Sequence, residues 1–317
     1  MMQAGGEKIV VLGTGGTIAG TAKNAHDSLG YSAAQLGVGD LVASAPLPPG
    51  VVLATEQVAQ VDSKDMDFGT WRHLAARCAH WLADDNLRGI VITHGTDTLE
   101  ETAFFLHRVL RPAKPVVLTC AMRPATALAP DGPQNLADAL VVAAAPGAQG
   151  VVAVCAGVVH GGVDVAKSHT WRLDAFGSGD GGPIGFVEDG RLRLARNWPA
   201  ARTGSAQAAI EKIALARWPR VEIVMNHAGA DGAIVDALLE RGVEGIVAAG
   251  TGNGTLSERL QHALLRAQAR GVRVVRATRV ANGRVLPHAG DVLPDSQGLK
   301  PVKARVAMLL DLLGVPD

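Results

Sequence analysis

Four runs of the chain, Lys8–Leu12, Gly89–Thr93, Pro115–Thr119 and Val151–Cys155, are almost wholly apolar and rich in Val and Ile. A strand with one wet face alternates apolar and polar residues. A run without alternation reads as a strand buried on both faces. Between these runs, Phe68, Trp71, Ala75, Cys78 and Leu82 recur at helical spacing, as do Leu99, Ala103, Leu106 and Leu110, and then Leu136, Leu140 and Ala143. Strands of this kind separated by amphipathic helices predict an α/β fold with a parallel sheet covered on both faces.

The pattern weakens after Gly185. Glu188–Arg217 is richer in Arg and carries Pro199 and Gly204, with a hairpin signal at Glu188-Asp189-Gly190. Alternation resumes with a strand at Val221–Met225, a helix at Ile234–Arg241, a strand at Gly245–Ala248, a helix at Ser257–Arg270, a strand at Val272–Arg276 and a last helix at Lys303–Leu313. The expected organisation is a larger N-terminal α/β domain over 1–190, a linker over 191–217 and a smaller C-terminal α/β domain over 218–317.

Composition narrows the partners. Thirty basic residues balance thirty acidic ones among 317, so no net field draws the chain to nucleic acid or to an acidic membrane surface. The apolar runs fall far short of the ~20 residues that a membrane-spanning helix needs. The N-terminus has neither the basic head nor the apolar stretch of a secretory signal, so the expected location is the cytoplasm. Cys78, Cys120 and Cys155 have no Cys-x-x-Cys spacing and an odd count, and are expected as reduced core residues.

In open α/β sheets, ligands bind beyond the carboxyl ends of the strands. Those positions hold Gly13-Thr14-Gly15-Gly16-Thr17-Ile18-Ala19-Gly20, His94-Gly95-Thr96-Asp97-Thr98, Ala121-Met122-Arg123-Pro124 and the stretch Gly161 to Lys167. In the second half they hold Gly250-Thr251-Gly252-Asn253-Gly254-Thr255. The first loop fits neither a dinucleotide fingerprint nor a P-loop: its sixth place is Ile18, and no Gly-Lys-Ser/Thr follows. Thr98-Leu99-Glu100-Glu101 has the form of a capping box, which sets Thr96 and Asp97 at a helix N-terminus.

Each motif has a plain structural reading, as a turn, a cap or a solvated lysine. Two threonines, an aspartate and a lysine on one rim point further. A threonine hydroxyl becomes a nucleophile when a neighbouring base takes its proton. A lysine is that base only in its neutral form, and a nearby carboxylate favours the charged one. Asp97 is therefore expected to orient Lys167 and to stabilise the proton it receives. The residues leave open which of Thr17 and Thr96 attacks first.

At these loops the sequence resembles the bacterial L-asparaginase family, the asparaginase/glutaminase amidohydrolases with a threonine nucleophile. The resemblance is carried by Ile9–Gly20, by Gly89–Ala103 with its Thr93-His94-Gly95-Thr96-Asp97-Thr98, by Ala121–Pro124, by Asp131-Gly132-Pro133 with Asn135, and by Gly245-Ile246-Val247 leading to Gly252-Asn253-Gly254. It runs from about Lys8 to Leu313. It implies hydrolysis of the side-chain amide of asparagine to aspartate and ammonia through an acyl-enzyme, without metal or organic cofactor.

Residue by residue, Thr17 stands at the nucleophile. Tyr31 stands at the tyrosine of the loop that closes over the substrate, here roughly 20–39 and expected to be mobile. Ser63 stands at the residue holding the substrate's α-carboxylate. Thr96, Asp97 and Lys167 stand at the second threonine and its acidic and basic partners, with Asp97 also taking the α-ammonium. Backbone N–H groups near Thr96 and Ala121 are the expected oxyanion donors. A homotetramer built as a dimer of dimers is implied, with Asn253 and Thr255 reaching a neighbouring subunit's site.

Two positions depart from the pattern. Lys64 stands where many members have a residue that contacts the substrate amine, and a lysine cannot accept a hydrogen bond from an ammonium. It either points outward or pairs with the substrate carboxylate. His288-Ala289-Gly290-Asp291 is shortened and lacks the glutamate that many members lend to a neighbouring subunit, so Asp291 is its candidate replacement. The competing readings are a glutaminase-asparaginase of broader specificity, a metal hydrolase using His160, Asp164 and His169, and a non-catalytic amino-acid-binding α/β protein.

Overall fold

The computed structural model describes residues 7–27, 29–43, 45–200 and 206–315. The chain divides into two compact units, Met1–Ile210 and Glu211–Asp317.

In the first unit, β1 (Glu7–Gly15), a short α1 (Val38–Val42), β2 (Val51–Val61), α2 (Phe68–Leu82), β3 (Leu87–Thr93), α3 (Leu99–Leu110), β4 (Pro115–Thr119), α4 (Gly132–Ala144) and β5 (Gly150–Cys155) follow in order. Strands β2, β1, β3, β4 and β5 lie side by side and run parallel. The sheet then turns antiparallel through β6 (Val158–Gly161), β9 (Gly185–Glu188) and β10 (Arg191–Leu194). A separate two-stranded ribbon joins β7 (Ala166–Lys167) to β8 (Phe176–Gly177). The hairpin signal at Asp189-Gly190 corresponds to the β9–β10 turn, where both residues have positive φ.

Burial explains why the four strand signals are readable. Ile9, Val11, Val91, Val117, Val152 and Val154 pack on Leu136, Ala139, Leu140 and Ala143 of α4. The alternate residues Val10, Leu12, Ile90 and Ile92 are equally buried. On the helical layer, Trp71 of α2 stacks on Phe105 of α3 at 4.7 Å between ring centroids. Each such side chain taken out of water contributes roughly 1.5–3 kcal/mol before chain entropy is charged against it. Edge strand β2 escaped the sequence reading because its residues are mostly half-exposed or exposed, so no buried run marks it.

The second unit contains a three-stranded parallel sheet, in the order β11 (Val221–Met225), β12 (Gly245–Gly250), β13 (Arg273–Thr278). Its helices are α6 (Ala233–Glu240), α7 (Glu258–Ala269) and α8 (Pro301–Leu312); α5 (Ala206–Leu215) spans the division between the units. The stretch expected as a linker thus carries β10 and α5. No helix among the described residues is long and apolar enough to cross a membrane.

Candidate active site

Two glycine-bearing loops of the first unit meet each other and a short 3-10 turn. Gly15 and Gly16 have φ of 103° and 79°, which the absence of a Cβ makes inexpensive. A Cβ on Gly16 would lie 2.4 Å from Gly95 Cα, and one on Gly95 would lie 2.4 Å from Ser63 Oγ. The β1 loop, the β3 loop and the 3-10 turn Ser63–Asp65 are therefore in direct contact, and Thr17 and Thr96 each follow one of the touching glycines. Both threonines are 7 % exposed, and Ser63 is 2 % exposed.

Thr17 opens a 3-10 turn, Thr17–Ala19. Its Oγ1 is 2.6 Å from the Tyr31 hydroxyl. The segment carrying Tyr31 is fastened across that turn: Thr21 and Ser32 exchange backbone bonds of 2.9 Å, and Ala34 and Gln35 donate to the carbonyls of Gly16 and Ala19. Thr126 fastens its other side, accepting from the Ala22 N–H at 2.8 Å and donating to the Ala22 carbonyl at 3.3 Å.

Lys167 sits in β7 rather than in a free loop. Its Nζ donates to Thr96 Oγ1 at 2.8 Å and to Asp97 Oδ1 at 2.7 Å. Its backbone N–H donates to Glu100 Oε2 at 3.2 Å, which ties the ribbon to the first turn of α3. Charge-assisted bonds of this length are the strong ones. The Asp97 N–H donates to Ser63 Oγ at 3.1 Å, leaving the serine's own hydrogen free to turn elsewhere.

The capping box does not form. The Thr98 oxygen accepts no backbone N–H of the helix, and its hydroxyl donates to the Ser63 carbonyl, 35 residues away in sequence, at 2.7 Å.

Lys64 follows the outward alternative. Its ammonium lies 2.6 Å from Asp62 and 3.3 Å from Asp65, its side chain is largely exposed, and the bond to Asp62 raises it above the usual lysine range. Two carboxylates of its own turn hold the charge. Asp291 is also engaged elsewhere. It pairs with Arg276 and accepts from the His288 N–H at 2.9 Å, inside its own unit. In the same unit, Asn253 clamps Leu286, donating to its carbonyl at 2.8 Å and accepting from its N–H at 2.7 Å. The Thr255 hydroxyl is 2.9 Å from that of Thr251.

Asp131 and Asn135 act on the backbone of the neighbouring loop. The Asp131 carboxylate accepts from the N–H groups of Met122 and Arg123, both at 2.9 Å. Asn135 donates to the Cys120 carbonyl at 2.9 Å and accepts from the Ala156 N–H at 2.9 Å. Together they shape the loop after β4 that contains buried Ala121. His94 is fully buried, with Nδ1 2.7 Å from the Gly95 carbonyl and Nε2 2.9 Å from the Thr102 hydroxyl. Among the described residues no group of three His, Cys, Asp or Glu is placed to hold a metal ion.

Two buried hydroxyls, one beside a tyrosine and one beside a lysine–aspartate pair, thus lie on touching loops at the ends of parallel strands of an α/β sheet. Residues 8–200 match the family model for the asparaginase N-terminal domain, and 220–313 match the glutaminase/asparaginase C-terminal domain. The chain belongs to the asparaginase family. It is 37 % identical over 315 residues to L-asparaginase 2 of Bacillus subtilis, covering 98 % of this chain and 83 % of that one. It is 36 % identical over 320 residues to the glutaminase-asparaginase of Pseudomonas fluorescens biotype A, covering 98 % and 87 %. Among solved structures, a probable cytoplasmic L-asparaginase from Campylobacter jejuni superposes with a TM-score of 0.90 at 35 % identity, covering 96 % of this chain and 95 % of that one.

Proposed function

We propose that the protein hydrolyses the side-chain amide of L-asparagine to L-aspartate and ammonia through a threonyl acyl-enzyme. The observation that carries this is the pairing of two hydroxyl centres on touching loops: Thr17 against Tyr31 at 2.6 Å, and Thr96 against Lys167 at 2.8 Å. Thr17 attacks the amide carbon, and Tyr31 relays the proton. The tetrahedral oxyanion is held by the N–H groups of Thr96 and Ala121, neither of which has an intramolecular acceptor among the described residues. Preorganised donors of this kind are worth ~10²–10³ in rate. Ammonia leaves with the proton, and the ester is then cleaved by water that Thr96, backed by Lys167, positions.

The α-carboxylate is taken by the Ser63 hydroxyl, whose oxygen is already fixed by the Asp97 N–H. The α-ammonium is taken by Asp97, which uses only Oδ1 for Lys167 and is half-exposed. Lys64 stays outside this pocket. Asn253 and Thr255 are proposed to complete a neighbouring subunit's site in a homotetramer, from the backbone-clamped turn that holds them. A cytoplasmic location is proposed; three unbridged thiols agree with a reducing compartment.

The family includes proteins named glutaminase-asparaginase, and one methylene in a pocket separates substrates by only ~1–3 kcal/mol. A secondary glutaminase activity is therefore part of the reading. The test is ammonia release from asparagine and from glutamine, with and without EDTA. Thr17→Ala is expected to abolish turnover while keeping the fold. Full activity in that variant overturns the mechanism, EDTA sensitivity revives a metal hydrolase, and binding without turnover in the parent favours an amino-acid-binding protein.

A further inference from the structure

Cys120 follows the last residue of β4, and Cys155 ends β5. The strands are parallel and in register there, with Thr119 opposite Val154, so the two cysteines face each other. Their Sγ atoms are 3.2 Å apart, and the residues are 1 % and 3 % exposed. The third cysteine, Cys78, lies on α2 and is fully buried.

The pair adjoins the loop after β4. The Cys120 carbonyl and the Ala121 N–H belong to one peptide group, so they point in opposite directions. Asn135 holds that carbonyl at 2.9 Å, and its other end holds the Ala156 N–H, next to Cys155. One side chain therefore spans the backbone on the C-terminal side of both cysteines. A movement of Cys120 tilts the peptide whose other end is the Ala121 N–H.

We propose that Cys120 and Cys155 are a redox-modifiable dithiol, and that closing it to a disulfide displaces the Ala121 amide and suppresses turnover. The oxidant class is a hydroperoxide. One thiolate attacks the O–O bond, forming a sulfenic acid and releasing hydroxide, which is protonated to water. The second thiol's sulfur then displaces the sulfenic hydroxyl as a second water, forming the S–S bond. The two thiols lose two electrons and two protons in all, and one hydrogen peroxide becomes two waters.

Closure shortens the sulfur separation from 3.2 Å to ~2.05 Å. Cys155 ends a central strand and Cys120 lies just past the end of its neighbour, so this contraction is absorbed where the loops begin. The hydrogen bond to Cys155, together with burial, holds the Cys120 thiol well above the usual range, which slows its attack on an oxidant.

The effect on turnover rests on the proposed role of the Ala121 amide, but formation of the bond does not. The experiment treats the whole enzyme with hydrogen peroxide, removes the excess, and follows mass and ammonia release in parallel. The intact chain is expected to lose about 2 Da, the two hydrogens of the dithiol, with a peptide map joining Cys120 to Cys155 and Cys78 left alkylatable. The turnover number is expected to fall at least about tenfold with KM for asparagine unchanged, since a displacement near 1 Å at a reacting group costs up to ~10². Dithiothreitol is expected to restore both readings.

Cys155→Ser is expected to keep the parent's activity and to resist peroxide; Cys155→Ala serves if the serine misfolds. Three alkylatable thiols after treatment, or oxidation without the Cys120–Cys155 linkage, overturn the site. Complete linkage with unchanged turnover overturns the coupling to Ala121. A reduced parent that releases no ammonia defeats the functional reading alone, because the mass change still decides the site.

Discussion

His94 ties the stability of the first unit to pH in a calculable way. Its Nδ1 faces a carbonyl, so it must carry the hydrogen, and Nε2 must accept from the Thr102 hydroxyl. Thr102 in turn accepts from Trp71 Nε1 at 2.9 Å. The neutral ring satisfies this chain completely. A second ring proton would turn Nε2 from acceptor to donor and take away the partner of the Thr102 hydrogen at a fully buried position. Burial is the main cause that lowers the histidine from 6.5 to about 4, opposed by the bond to Gly95.

The sign follows from linkage. Between those two values the unfolded chain binds a proton that the folded chain refuses, so stability is full above about pH 6.5 and is lost as pH falls towards 4. At about 1.36 kcal/mol per pKa unit, the loss between neutral pH and pH ~4.5 is roughly 2–3 kcal/mol. The perturbation is His94→Asn, which keeps a donor for the Gly95 carbonyl and removes the titration. Urea unfolding followed at several pH values measures it. The parent is expected to lose roughly 2–3 kcal/mol more than the variant across that window. Parallel curves for the two proteins would refute the assignment of acid sensitivity to this ring.

Lys167→Met is expected to lower kcat by ~10²–10⁴ with a smaller change in KM, read from ammonia release, because it removes a positioned proton-handling group. An unchanged kcat would remove Lys167 from the chemistry. Lys64→Gln is expected to leave KM for asparagine nearly unchanged, since its ammonium is already committed to Asp62 and Asp65; a large change in either direction would place it in the pocket. Thr126→Val removes both bonds that hold Ala22, each worth ~0.5–1.5 kcal/mol. A lower kcat/KM is expected, with faster proteolytic cleavage within 20–39; a cleavage rate equal to the parent's would mean that Thr126 does not fasten the segment.

Much of the frame was legible because burial leaves a chemical trace. Pro115–Thr119 was readable to the residue because a strand shielded on both faces excludes polar side chains. Edge strand β2 was not, because a half-wet strand has no such exclusion. The site was legible as a set of types, two threonines, an aspartate, a lysine and a tyrosine, since strand-end loops concentrate them. Its supports were not. Asn135, His94, Thr102 and Glu100 act through contacts between residues distant in the chain, and nothing in their local sequence distinguishes them from helix or loop filler.

Two local expectations gave way to tertiary contacts. Thr98 has the residue type and spacing of a cap, yet its oxygen accepts no helix N–H, and its hydroxyl bonds to the Ser63 carbonyl. The charge of Lys64 raised a conflict with an ammonium substrate, and two neighbouring carboxylates draw it away.

The sequence by itself determined the α/β alternation, the loops that carry chemistry and the membership that Gly13–Gly20 and Thr93–Ala103 announce. These depend on residue type and spacing along the chain. Tertiary structure alone decided that Gly16 touches Gly95 and Gly95 touches Ser63, which sets Thr17 beside Thr96 on one rim, and that Cys120 faces Cys155 across two strands. The reason is physical: a Cβ that does not fit, or a sulfur 3.2 Å from another, is a relation between residues some 30 to 80 positions apart, and strand register rather than local preference sets it.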